Sequence, residues 1–134
     1  MTEDEKNRMT ASIMMELEGK KDNAVRMGVP PYFLSNFFLR VYDNPHRQAL
    51  EKGNPEIAKM NNRIDAIILE MNLRQKLDQL LLISGRAHKD PAKDYEYTSQ
   101  ERLNADLEID KLLIPVYIRL RLEGYDPEKF NITT

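Results

Sequence analysis

The chain has 134 residues, with 20 Lys and Arg against 22 Asp and Glu, two His, seven Met and neither Cys nor Trp. The lack of Cys excludes a disulfide framework, a thiol nucleophile, an Fe–S cluster and a thiolate zinc site. With 41% apolar and 31% charged residues, a chain of this length can bury a core without such staples, and a single helical domain over residues 1–134 is expected.

The start, Met1-Thr2-Glu3-Asp4-Glu5-Lys6, is acidic where a presequence would be basic and apolar. The longest uncharged run, Met27 to Leu39, contains two prolines and falls short of the roughly 20 apolar residues a bilayer span needs. A cytoplasmic chain with no membrane partner is expected.

In chain order, the first helix is predicted from about Asp4 to Glu18. Met9, Ile13 and Leu17 recur every four residues, with Met14 beside them. Gly19 either ends this helix or lies inside a longer one reaching Met27. The second segment opens at Pro30-Pro31, which suits a first helical turn. Phe33, Leu34, Phe37, Phe38 and Val41 then make a broad apolar face. Asn44-Pro45 interrupts it as cap and first residue of a short helix, His46 to Lys52, stopped by Gly53.

The third segment repeats the cap-proline start at Asn54-Pro55 and runs to Ser84 without Gly or Pro, with Gly85 as a C-cap. One helix of about 30 residues, roughly 45 Å long, is predicted. Its apolar residues form two stripes, Ile57, Met60, Ile64, Ile67 and Met71, then Ala66, Leu69, Leu73, Leu77 and Leu80, offset by about 100°. The helix should therefore meet different neighbours at its two ends.

A polar connector, Arg86 to Tyr97, leads to a capping box at Thr98 and Glu101. The fourth helix then extends to about Glu123, with Gly124 as its stop. Leu103, Leu107, Leu113, Val116, Tyr117 and Leu120 are expected on its buried side, and Pro115 should kink it. Residues 116–122 also alternate apolar and polar, as a half-buried strand would, but the framing cap and glycine favour helix. Asp126-Pro127 starts a short tail helix, with Phe130 and Ile132 folding back. The fold expected is all-α: four main helices plus short ones, in a bundle-like or irregular array.

The net charge of −2 is unevenly spread. Residues 1–19 and 89–134 each carry a net −3, residues 20–52 carry +3 and residues 53–88 carry +1. Either acidic and basic helix faces pair within the bundle, or residues 20–52 meet an anionic partner.

Catalytic constellations are sparse. His46 sits at a helix start, and His88 lies in a connector near Asp90, Asp94 and Glu96, without HExxH or calcium-loop spacing. Of Asp106, Glu108 and Asp110, the middle one projects away from the other two on a helix, so they do not form one chelate. There is no GxGxxG, Walker loop or GxSxG elbow. No enzyme, metal, cofactor or small-molecule substrate is expected, with a metal- or carboxylate-dependent enzyme as the third and least favoured class, since scattered Asp and Glu leave no sequence signature.

One local motif remains. In Ala24 to Phe38, Ala24 allows close helix crossing, Gly28 can take positive φ, Met27 and Val29 flank it, and Leu34 and Phe37 follow. These 15 residues resemble the core of a helix-turn-helix, and the run Gly28 to Phe38 resembles the recognition-helix region of AraC-type regulators. The resemblance implies Tyr32, Ser35 and Asn36 facing bases, with Lys20, Lys21, Arg26 and Arg40 near phosphates. Asn23 stands where the motif carries an apolar residue, and the chain's pI is 5.7, below the basic range usual for such domains. The function expected is therefore a small interaction protein, an adaptor, inhibitor or assembly subunit. It would bind a protein partner, or itself, through an apolar face bearing Tyr32, Phe33, Phe37, Phe38 and Tyr42. A DNA-binding regulator using residues 20–42 is the alternative.

Overall fold

The computed structural model describes residues 1–19, 44–84 and 97–127, with the backbone alone for 44–47. The described residues form five α-helices and no strand: α1 (Glu3–Gly19), α2 (Asn44–Gly53), α3 (Pro55–Glu70), α4 (Arg74–Ser84) and α5 (Ser99–Leu122). The fold is all-α. Helix α5 is the hub. It packs along α4 and also against α3 and α1, while α2 packs on α3.

Local chemistry explains the starts of α1, α3 and α5. The Thr2 hydroxyl accepts from the Glu5 amide at 3.2 Å, and Glu3, Asp4 and Glu5 fill the first turn of α1, where the helix dipole favours negative charge. The Thr2/Glu5 pair is a capping-box pattern, and it starts the helix at Glu3 rather than Asp4. Asn54 caps α3 by accepting from the Glu56 amide at 3.0 Å, with Pro55 in the first turn. Thr98 caps α5 by accepting from the Glu101 amide at 3.1 Å and donates its own proton to the Glu101 carboxylate. Helix α2 begins at Asn44, the expected cap, one residue ahead of the predicted first residue Pro45.

The predicted 30-residue helix is two helices. Between α3 and α4 the backbone turns at Met71-Asn72-Leu73, and Asn72 takes φ of 57°. The Asn72 amide donates to the Leu69 carbonyl at 3.1 Å and the Leu73 amide to the Ile68 carbonyl at 3.0 Å. This is a Schellman stop, with Asn in the left-handed position usually held by Gly. The change of stripe between Met71 and Leu73 reflects this turn rather than a seam wandering along one helix. Helix α5 ends the same way: Gly124 has φ of 94°, its amide reaches Arg121 and that of Tyr125 reaches Leu120.

The described core runs through four helices: Ile13 and Leu17 of α1, Met60, Ile64, Ile67 and Ile68 of α3, Leu77, Leu80 and Leu81 of α4, and Ala105, Ile109, Leu113, Val116, Tyr117 and Leu120 of α5. Burying a side chain of this kind is worth about 1.5–3 kcal/mol. Residues 114–122 are helical, and Val116, Tyr117 and Leu120 share the face of Ile109 and Leu113. Leu103 departs from expectation and is 51% exposed. At about 100° per residue it lies roughly 100° from the centre of the buried face. Helix α5 continues through Pro115, whose ring is on the exposed side.

Several predicted features lie outside the described residues: the course of α1 beyond Gly19, the segment beginning at Pro30, the Gly85 cap, the connector 86–96, and the tail from Glu128 with Phe130 and Ile132.

Candidate functional site

The described surface is dominated by ion pairs that tie helices together. Arg63 of α3 binds Glu123, just past α5, through Nε and through Nη2 at 2.9 Å. Arg63 also lies 3.6 Å from Glu70, and Arg119 of α5 binds Glu70 and approaches Glu123 at 3.5 Å. The four side chains close a ring in which each cation touches both anions. The hydrogen bond to Glu123 raises the Arg63 pKa above its ordinary value, against desolvation and with help from Glu70. The Arg63 hydrogen bond likewise holds the Glu123 carboxyl below its ordinary value, although burial pushes the other way. Two positive and two negative groups neutralise each other, so the ring is a clasp between α3 and α5 rather than an anion or cation site.

A second clasp joins α1 to α5. Arg121 donates to the Tyr117 hydroxyl at 3.0 Å, lies 5.8 Å from the Tyr117 ring centre and 3.3 Å from Glu16. Partial burial opposes the Arg121 charge, but Tyr117 and Glu16 outweigh it and raise the pKa. Lys76 and Glu108, 3.4 Å apart, add a link between α4 and α5.

A third polar feature is internal. Asn61 of α3 is 1% exposed. Its Nδ2 donates to Glu51 of α2 at 2.9 Å, while its Oδ1 is buried without a hydrogen-bond partner. Glu51 also borders an open cavity of about 600 Å³, together with Gln48, Ala49 and Lys52.

Comparisons with protein-family models, with curated proteins and with solved structures return no match.

The sequence-derived partner residues Tyr32, Phe33, Phe37, Phe38 and Tyr42 all lie outside the described residues. So do Lys20, Lys21, Arg26, Ser35, Asn36 and Arg40 of the DNA-binding alternative, and His88 with its neighbouring carboxylates. The side chain of His46 is likewise undescribed. Asp106, Glu108 and Asp110 are half-buried, exposed and buried in turn, so they do not converge. Among the described residues, no three His, Asp or Glu side chains gather in a way that could hold a metal ion, and no helix is long and apolar enough to cross a membrane.

Sequence reasoning missed the clasps. Arg63 and Glu123 are 60 residues apart and Glu16 and Arg121 are 105 apart, so no local spacing announces them. It also missed large apolar side chains left in solvent: Met15 at 75% exposure, Leu69 at 63%, Leu103 and Leu82.

Proposed function

We propose that this chain is a small non-enzymatic interaction protein that docks a protein partner through the apolar–aromatic face of residues 32–42. The observation that carries the reading is compositional. Five of the chain's ten aromatic residues, Tyr32, Phe33, Phe37, Phe38 and Tyr42, fall within eleven positions. Aromatic anchors clustered in this way are typical of the centres of protein interfaces. Four cations of the described surface agree with this reading. Arg63, Arg119, Arg121 and Lys76 are engaged by carboxylates of this chain, which leaves them poorly suited to phosphates. The partner class proposed is a protein, a second copy of the chain included.

The basic stretch 20–52 coincides with the helix-turn-helix resemblance, and this favours DNA binding as the second reading. Titration of labelled duplex DNA at low and moderate salt separates the two. A regulator loses affinity steeply as salt rises, because phosphate contacts release counterions. The protein-docking reading predicts no such binding, and capture of a stoichiometric protein partner or concentration-dependent self-association by light scattering.

A further inference from the structure

We infer that the turn at Met71-Asn72-Leu73 is a hinge about which residues 55–84 straighten into one helix, exchanging α4 and α5 between two copies of the chain. This goes beyond the docking face of residues 32–42 and does not rest on it.

Apart from the Schellman stop at Asn72, the side chains at both helix ends suit a helix interior. Helix α3 ends on Glu70 with no basic residue in its last turn, and α4 begins on Arg74 with Lys76 following and no acidic residue in its first turn. Each sign is wrong for the local helix dipole. Leu73 stands at the N-cap position of α4, where it offers no side-chain oxygen to the amides that follow. In a continuous helix these faults vanish. Arg74, which pairs with Asp78 at 3.4 Å in the bent form, then also stands four residues after Glu70, in the favourable order. Leu69, 63% exposed in the bent form, comes into line with Ala66, Leu73, Leu77 and Leu80. No Gly or Pro lies between residues 56 and 84 to oppose the change.

Two features hold the bend: the left-handed Asn72, with φ of 57°, and the packing of α5 against α1 and α3. The second is not lost on straightening. In an exchanged dimer, α1 and α3 of one copy receive α5 of the other, so the Arg63–Glu123 and Glu16–Arg121 clasps re-form between copies. Among the described residues only the turn has to change, and short hinges of this kind invite domain exchange.

The test is light scattering of the full chain refolded over a range of concentrations, as wild type, Asn72→Ala and Asn72→Gly. Ala is the better helix former and the worse left-handed residue, worth about tenfold at each hinge. A dimer straightens two hinges, so its association constant should rise on the order of 100-fold with Ala and fall with Gly. A second measurement identifies the exchange. Arg63→Glu and Glu123→Arg chains, refolded together in equal amounts, should give heterodimer well above the half share that random pairing gives, because only the exchanged heterodimer restores opposite charges in both clasps. A dimer fraction indifferent to residue 72, monomers throughout, or random pairing of the charge variants would each overturn the inference.

Discussion

Replacing Pro115 by Ala should stabilise this protein. Pro115 lies inside α5 on its exposed side, so truncating its ring removes no core contact. Without an amide hydrogen it leaves the Lys111 carbonyl without its helical donor, and a proline in a helix interior costs about 3 kcal/mol relative to Ala. Lys111 is itself exposed, so water satisfies part of that carbonyl and the recoverable cost is smaller. Ala also gives the unfolded chain back about 0.4–1 kcal/mol of conformational freedom. The balance is a gain of about 1–2 kcal/mol, or a rise of about 4–8 °C in Tm for a chain of this size. Thermal and urea unfolding followed by far-UV circular dichroism measure it directly. A variant less stable than wild type would refute the reasoning. It would show that a bend at residue 115 is what seats Val116, Tyr117 and Leu120 in the core.

Other outcomes follow from the packing and the clasps. Leu113→Ala empties a fully buried position of α5 and should cost about 2–5 kcal/mol in urea unfolding. Thr98→Ala removes the acceptor of the Glu101 amide and should cost about 1 kcal/mol, with Thr98→Ser retaining most of the stability. Asn61→Asp buries a carboxylate beside Glu51 and should cost about 3 kcal/mol at neutral pH. Its folded pKa would be raised, so the loss should shrink as pH falls through that value, and a pH-independent loss would contradict the assignment. Glu123 has a folded pKa depressed chiefly by Arg63. Its contribution is full above the ordinary carboxylate range and is lost as pH falls through the depressed value. Melting curves of wild type and Glu123→Gln should therefore differ at neutral pH and converge in acid.

The helical class, the Asn54 and Thr98 caps and the Gly124 stop were legible because each is a local event written in three or four adjacent residues. The buried faces of α1 and α3 were legible from periodicity, since Ile13, Leu17, Ile57, Met60, Ile64 and Ile67 fall on single stripes. The turn at Asn72 was not. Asn serves there in place of Gly, and the surrounding residues carry helix-interior chemistry, so only the shift of apolar stripe hinted at a boundary. Leu103 was misassigned because a leucine at plausible spacing reads as core, whereas the small Ala105 takes the buried position two residues on. The Arg63, Glu70, Arg119 and Glu123 ring was illegible because it depends on how α3 and α5 cross. The orphaned Asn61 Oδ1 was illegible for a different reason, since a polar residue beside an apolar stripe reads as exposed.

The most direct measurement of the central claim compares the wild-type chain with Phe37→Ser in affinity capture from native cells, alongside thermal unfolding of both. If residues 32–42 form a docking face, the variant keeps its cooperative melting transition and loses a stoichiometric protein partner, or its self-association. If Phe37 instead belongs to the core, the variant melts several degrees lower or loses cooperativity. That outcome, or a partner retained undiminished by a well-folded variant, would contradict the account.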